Sequence, residues 1–318
     1  MGWFAIRRIG QALFVLVPAS FLIFIMLQAA PGDAARYLAG PDAPAAIVAA
    51  VRHEMGLDRP IFMQYGIWLS HVARGDLGNS YISGVPVREL IVTRGRATFE
   101  LAAAAAVVAL LYGITWGLVG ARFAGRTTDW LVSAINSLIF ATPTFWLAIL
   151  GILLFGLKLG VLPIGGAVPF TEDPMAALQH LVLPAVALGL PTGAVLARFV
   201  RTSVLEELDQ DYIRASRARG ASERYVLLRH AFRNALVPIT TVFGVQLATM
   251  LGGAVIVETV FSWPGLGVQT VDAIDGRDYP VVQGTLLILL VIAVLVNLIV
   301  DLTYVYLDPR IRVGARSA

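Results

Sequence analysis

The chain has 318 residues, of which 58% are hydrophobic and 14% charged, with a formal net charge of +3 and a mean hydropathy of +0.77. A soluble protein of this length carries about a quarter charged residues, so this composition indicates a membrane protein. The chain has no cysteine, which excludes disulfides, thiolate metal sites and cysteine nucleophiles.

Uncharged stretches of about 17 or more residues are long enough to cross a hydrocarbon core as helices. The sequence contains six such stretches between charged residues. It therefore predicts an all-α membrane protein with six transmembrane helices. The predicted spans are Ile9–Ala30, Leu101–Ala121, Trp130–Leu157, Leu181–Ala197, Ala235–Val257 and Tyr279–Val300. Pairs of glycines four residues apart, at 113/117, 156/160 and 189/193, are candidate faces for close helix packing.

Arginine placement predicts the orientation, because cytoplasmic loops are enriched in basic residues. With a cytoplasmic N-terminus, the two short outer loops hold only Lys158 and Arg277 as basic residues, whereas the loop between spans four and five is strongly basic. The outer segment from Pro31 to Arg96 also carries arginines, but long loops cross largely regardless of charge. An even number of spans then places both termini on the cytoplasmic side.

The sequence lacks the motifs of a catalytic or ATP-binding site. Lys158 is the single lysine and stands between two leucines, so no Walker A loop exists. The stretch "HEMGL" has Leu57 where a zinc protease motif needs its second histidine, and the four histidines are scattered. We therefore expect no enzyme activity, no metal and no cofactor in this chain, and an ATP-driven process would need another chain.

The basic loop from about residue 201 to 238 has an ordered pattern that a simple topology signal does not require. Acidic residues precede a predicted helix over Tyr212–Arg219. Gly220 is placed to end that helix in the left-handed conformation, and Ser222 to cap the next. The second helix, with apolar Tyr225, Val226, Leu228 and Phe232, leads into span five.

This loop resembles the EAA loop of ABC-importer permeases, in which Glu-Ala-Ala is followed after three residues by glycine and later by proline. Here Arg214-Ala215-Ser216 stand in the place of Glu-Ala-Ala, Gly220 is the glycine, and Pro238 is the proline. The arginine, the serine and the late proline depart from the general pattern. The late proline resembles the dipeptide/oligopeptide/nickel branch of the family.

Resemblance to the B-type permease of that branch extends over nearly the whole chain. The phrases that carry it are "LQAAPGDAA", "GLDRPIFMQY", "GDLGNSY", "ATPTFWLAIL", "GVLPIGG", "LGGAVIVETVFSWPGLG" and "VNLIVDLTYVYLDPRIR". The resemblance implies a permease subunit of an ATP-driven importer of di- or oligopeptides in the inner membrane of a bacterium. It further implies a homologous second permease, two cytoplasmic ATPases that use ATP and Mg²⁺, and an extracytoplasmic solute-binding protein. No nucleic-acid partner is expected.

The predicted division is residues 1–96, a first membrane helix with a long, partly helical outer segment, and residues 97–318, the transport core. By the resemblance, one set of residues would couple the loop to an ATPase. These are Arg214, Ala215, Ser216, Arg217, Arg219, Gly220, Ser222 and Pro238. Candidates for the solute path or gate are Phe145, Trp146, Glu258 and Asp301. Their residue types favour a structural reading, which is core packing for the two aromatic residues, an interfacial helix end for Glu258 and an ion pair with an arginine for Asp301.

Several alternatives remain open from the sequence. Nickel, glutathione or another small solute could replace the peptide within the same branch. An ion-coupled secondary carrier would use Glu258 and Asp301 as coupling acids. An intramembrane enzyme would need a nucleophile paired with a base, and the sequence shows no such pair. Asp272, Asp275 and Asp278 are expected in a solvated outer loop.

Overall fold

The computed structural model describes residues 2–29, 34–40, 42–54 and 56–307. In these residues the only β pairing is a single bridge between Asn79 and Pro86, and helices make up most of the rest. The helices are α1 Gly2–Ala29, α2 Ala34–Ala39, α3 Ala45–Glu54, α4 Ile61–Ala73, α5 Val87–Arg122, α6 Thr127–Ala141, α7 Thr144–Gly151, α8 Pro174–Leu208, α9 Asp211–Ala218, α10 Glu223–Tyr225, α11 Phe232–Val260, α12 Leu266–Asp275 and α13 Tyr279–Leu307. Two π-helical turns, Ile152–Lys158 and Val226–Ala231, continue α7 and join α10 to α11.

Among the described residues, five helical segments are long and apolar enough to cross a membrane, and there are six if a bent pair counts as one span. The five are Arg7–Leu27, Val87–Arg122, Pro174–Leu208, Glu223–Val260 and Tyr279–Val300. These segments contain the predicted spans two, four, five and six, and they overlap the first. Several run further than the uncharged stretches do, because arginine and glutamate are good helix formers and continue a helix beyond the apolar region.

The third predicted span is not one straight helix. Helix α6 and the run Thr144–Lys158 meet at an angle of 102°. The break falls at Thr142, whose ψ of 126° is extended, directly before Pro143 at the cap of α7. A residue before proline is excluded from the α conformation by the proline ring, which explains why the helix ends there.

The described residues divide into two compact units, one within residues 2–5, 99–263 and 295–307, and the other within residues 6–98 and 264–294. In the first unit, α8 is the most buried span. Glycines allow α5 and α8 to approach closely. A Cβ on Gly189 would lie 2.5 Å from the carbonyl oxygen of Ala105, and one on Gly117 would lie 2.5 Å from Cβ of Val200.

The candidate glycine faces at 113/117 and 189/193 are therefore confirmed as one packed interface. The pair at 156/160 does not form such a face. Gly160 has a φ of +63°, with no atom within 4 Å of its Cβ position, and the atoms nearest to a Cβ on Gly156 belong to Leu162 and Ile164, only a few residues further along the chain.

An ion pair joins α6 to α8 in the same unit. Nε and Nη2 of Arg201 donate to the two carboxylate oxygens of Asp129 at 2.6 and 2.7 Å. The backbone N–H of Gly125 also donates to Asp129, at 2.9 Å, so this buried carboxylate accepts three hydrogen bonds. Both residues lie at the end of the bundle next to the basic loop.

In the second unit, α4 packs along α1 through aromatic rings. Tyr65 and Trp68 lie against Phe24 with ring centroids 5.7 Å apart, and the Tyr65 hydroxyl donates to the carbonyl of Val17 at 3.1 Å. The predicted outer segment is thus partly helical, as expected, through α2, α3 and α4.

Asp278 corrects one expectation, because it is buried rather than solvated, with 3% of its surface exposed. Its carboxylate accepts hydrogen bonds from the Ser80 hydroxyl and from the Tyr81 backbone N–H. Burial, with a contribution from Asp278, raises the pKa of Tyr81 to about 12. Asp272 and Asp275 are exposed, as predicted. Asp278 therefore joins the residues just before α13 to the segment around Ser80.

Candidate functional site

The basic loop forms a tight helical corner at Gly220. Helix α9 covers Asp211–Ala218, close to the predicted Tyr212–Arg219, and Gly220 has a φ of +85°. The N–H of Gly220 donates to the carbonyl of Arg217 at 2.9 Å and that of Ala221 to the carbonyl of Ser216 at 3.2 Å. This pair of bonds is the Schellman arrangement, in which glycine takes the left-handed conformation without a steric penalty.

Ser222 caps the helix that follows, also as predicted. Its hydroxyl accepts a hydrogen bond from the backbone N–H of Tyr225 at 3.4 Å, a long contact. From Glu223 the chain continues through the π turn and α11 as one helical run to Val260. The corner is therefore joined directly to a membrane-crossing helix.

Helix α9 is held in place by buried residues, and its other residues are exposed. Ile213 is fully buried and Ser216 is 4% exposed, and Ile213 packs in a cluster with Val200 and Val204 of α8 and with Val226 of the π turn. Arg214, Ala215, Arg217 and Arg219, four of the predicted coupling residues, are all exposed. The structure thus leaves these four accessible to a partner and places Ser216 in the interior.

Two of the arginines make ion pairs within the loop. Arg217 donates to both carboxylate oxygens of Glu223 at 2.8 and 3.1 Å, which bridges the Gly220 corner. Arg214 pairs with Asp211 one turn away at 3.1 Å, with both side chains largely exposed. Among the described residues Arg219 has no ion pair. Its charge is therefore available to a partner.

A hydrogen-bonded junction around Tyr212 was not foreseen from the sequence. The Tyr212 hydroxyl donates to Glu207 at the end of α8 at 2.5 Å and accepts from the Asn234 amide of α11 at 2.9 Å. Burial, followed by the bond to Glu207, raises the pKa of Tyr212, while the Asn234 donor lowers it. Tyr212 thus connects α9 to the helices before and after it.

The buried face of the second helix differs from the predicted one. Val226, Leu227 and Ala231 are buried, whereas Tyr225 and Leu228 are 50% and 42% exposed. The reason is the π turn over Val226–Ala231, whose hydrogen bonds span five residues and so rotate the face by part of a turn. Tyr225 and Leu228, with Ser222, Arg224 and Arg229, line an open groove of about 480 Å³ beside the corner.

Pro238 is separated from the other coupling candidates. It is exposed and lies within α11, fifteen residues beyond Glu223 in the helical run. At 1.5 Å per residue this separation is about 22 Å along the helix axis. Pro238 therefore does not contribute to the corner itself.

The candidate path residues have different surroundings. Phe145 and Trp146 lie in the first turn of α7 and are 44% and 53% exposed. Glu258 lies in the last turn of α11, at a helix end as expected, and its side chain is fully buried. Asp301 lies within α13, and its side chain is outside the described part of the chain.

Taken together, helices long enough to cross a membrane and a helical corner anchored among their ends define a multi-pass membrane protein. Residues 113–313 match the family described as the binding-protein-dependent transport system inner membrane component, and residues 1–102 match its N-terminal membrane component. The chain belongs to this family.

Curated relatives match over nearly their full length. A putative peptide transport system permease protein of Brucella abortus (strain 2308) is 42% identical over 96% of this chain and 98% of its own. The glutathione transport system permease protein GsiC of Salmonella typhimurium is 38% identical over 97% of this chain and 98% of its own length. A probable peptide ABC transporter permease, y4tP of Sinorhizobium fredii, is 38% identical over 98% and 100%.

Solved structures share the fold. An inward-facing structure of the MetNI methionine ABC transporter has a TM-score of 0.58 at 20% identity and covers 69% of this chain and 96% of that one. An amino acid ABC transporter with histidines has a TM-score of 0.52 at 18% identity and covers 68% of this chain and 94% of that one. The chain is therefore the multi-pass inner membrane permease component of an ABC importer, a class that works with ATPase and solute-binding partners.

Proposed function

We propose that this chain imports peptides as one of two paired permease subunits, driven by two ATPase subunits and supplied by an extracytoplasmic binding protein. The peptide assignment is supported by the names of the Brucella and Sinorhizobium relatives. ATP and Mg²⁺ would be used by the ATPases alone, and no covalent chemistry would occur in this chain.

The observation that carries the coupling assignment is the Gly220 corner. A short helix with an exposed basic surface is held by buried Ile213 and by the Tyr212 junction, and it continues through the corner into α11. Such a helix moves as a rigid body with the ends of α8 and α11. An ATPase that grips α9 would therefore move two membrane helices at once, as rigid-body rocking requires.

The proposed orientation places the loop and both termini in the cytoplasm. The arginine asymmetry between the short loops supports it. In this orientation Arg214, Ala215, Arg217 and Arg219 face the ATPases, while Ser216, Gly220 and Ser222 shape the corner. We further propose that Phe145 and Trp146 line the solute path, that Glu258 supports the outer end of α11 from the interior, and that Pro238 sets the position of α11 in the membrane.

A second candidate solute is glutathione, because GsiC is nearly as similar to this chain as the peptide permeases are. Nickel is a third solute within the branch. A secondary carrier or an enzyme would be recovered without ATPase subunits, so affinity purification of the tagged chain separates these classes from the importer.

The direct test of coupling is Gly220→Val in the purified complex. Valine at a φ of +85° costs about 1–3 kcal/mol of local strain and should disturb the corner. We expect the variant to insert and assemble but to lose most solute-stimulated ATP hydrolysis in liposomes. Retention of normal stimulation would contradict the assignment.

Gly125→Val is the matched control. Gly125 also has a left-handed φ, +74°, in the loop between α5 and α6, and no atom lies within 4 Å of its Cβ position. The control carries the same backbone strain outside the corner, and its ATP hydrolysis should remain close to that of the wild type.

A further inference from the structure

A polar cavity of about 190 Å³ lies between α5, α6 and α8, at the end of the bundle next to the basic loop. Its lining includes Trp116 from α5, Ser133, Asn136 and Phe140 from α6, and Arg198 and Arg201 from α8. Polar and basic groups are costly inside a membrane bundle and therefore call for a specific explanation.

The cavity offers hydrogen-bond donors and no free carboxylate among the described residues. Asp129, the nearest acid, already binds Arg201 through both oxygens and Gly125 through its N–H. The Asn136 carbonyl oxygen accepts from the Tyr112 hydroxyl at 2.9 Å, which leaves the Asn136 amide N–H groups as donors. Nη1 of Arg201 and the Ser133 hydroxyl are further donors on the lining.

Arg198 carries a charge on the lining that no carboxylate of the described residues neutralises. It directly follows the uncharged run Leu181–Ala197, and within the described part of the chain it has no carboxylate partner. Its guanidinium lies 5.9 Å from the centroid of the Phe140 ring, which holds it at the mouth of the cavity. Arg198 is exposed at this mouth, so its charge can reach an anion outside the chain, and the donor set around it suits phosphate oxygens.

The surroundings indicate where that anion comes from. Exposed apolar side chains continue from the cavity along α6, with Trp130 and Leu138 each 69% exposed and Phe140 58% exposed. This surface suits acyl chains, and Trp116 is of the type that lies at headgroup level. Basic pockets between membrane helices commonly bind anionic lipid headgroups.

We infer that this cavity binds the phosphate headgroup of an anionic phospholipid, with Arg198 as its principal charge contact. The site would tie lipid to the junction of α6 and α8, beside the Arg201–Asp129 pair. Assignment to the cytoplasmic leaflet rests on the proposed orientation, whereas the binding itself requires neither transport nor partner subunits.

The experiment is native mass spectrometry of the purified full chain, or of the complex if it does not separate, titrated with phosphatidylglycerol or phosphatidylcholine. We expect the wild type to prefer phosphatidylglycerol, Arg198→Gln to bind it about tenfold more weakly, and Arg198→Lys to retain most of the preference. The lysine variant keeps the charge and shows that the glutamine variant's loss is not a folding defect.

Arg122→Gln is the matched control, because Arg122 lies over the Phe123 ring at 5.6 Å but does not line the cavity. Its binding should equal that of the wild type. Equal binding of the two lipids, or equal losses in the two glutamine variants, would overturn the inference. Displacement of the lipid by millimolar inorganic phosphate would show a site for the free ion instead, and an Arg198 cross-link to a second permease would show a protein partner.

Discussion

Arg217 and Glu223 join across the Gly220 corner, with both carboxylate oxygens of Glu223 accepting from the guanidinium at 2.8 and 3.1 Å. One residue belongs to α9 and the other begins the helical run into α11. The Arg217 side chain is 38% exposed and that of Glu223 is 73% exposed, so solvent screens the pair and it contributes little to global stability. Its two-bond geometry instead fixes the angle between the two helices.

Arg217→Ala should therefore loosen the corner without unfolding the protein. We expect faster hydrogen exchange in the peptide that contains Gly220, Ala221 and Ser222, with a change of no more than about 1 kcal/mol in the free energy of unfolding. Glu223→Ala should give the same result, and the double variant should add little more. Asp211→Asn breaks the ion pair inside α9 without crossing the corner, and it should leave exchange in this peptide unchanged.

Tyr212→Phe removes a hydroxyl that connects three helices while keeping the ring. The loss of the bonds to Glu207 and Asn234 should lower the free energy of unfolding by about 0.5–1.5 kcal/mol, measured by thermal unfolding in detergent. Tyr225→Phe is the control, because the Tyr225 hydroxyl has no hydrogen bond among the described residues and its ring lies against His230. An equal loss in both variants would contradict the role of the Tyr212 junction.

The pH dependence of this loss has a defined sign. The pKa of Tyr212 is raised in the folded state, chiefly by burial. A raised pKa means that the stabilisation is complete below the unfolded value, about 10, and disappears as the pH rises through the folded value. The difference between wild type and Tyr212→Phe should thus be constant from neutral pH to about pH 10 and shrink above it.

Gly189→Ala tests the close approach of α5 and α8. The new methyl group would lie 2.5 Å from the carbonyl oxygen of Ala105, so the helices must separate, at a cost of about 1–3 kcal/mol. The measurement is the unfolding temperature in detergent. Gly252→Ala is the control, because no atom lies within 4 Å of that position in α11, and alanine there should be neutral or stabilising by up to ~1 kcal/mol. Equal effects would mean that the glycines do not form the interface.

The corner at Gly220 could be predicted because its determinants are local. A helix end needs only a residue that tolerates the left-handed conformation, and a helix start needs a side-chain oxygen, so Gly220 and Ser222 are informative by themselves. The Tyr212 junction could not be predicted in this way. Tyr212 and Asn234 are 22 residues apart, and a π turn between them sets the rotation that brings them together.

Long-range contacts explain the other differences. Asp278 stands among acidic residues that are solvated, and only its approach to Ser80, 198 residues earlier, makes it a buried acceptor. The pairing of Arg201 with Asp129 spans 72 residues. In each case the residue type permits both a solvated and a paired state, and the neighbour supplied by the fold decides between them.

The sequence by itself determined the membrane class, the number of apolar segments and the helical corner, because hydropathy, glycine conformation and capping act over a few residues. Only the tertiary structure decided which glycine pairs meet, where span three bends and which acids are buried. It also decided which residues of α9 are left open to a partner. Those outcomes depend on how helices that are far apart in the chain rotate and cross. They also depend on the free-energy cost of burying a polar group without a hydrogen-bond partner.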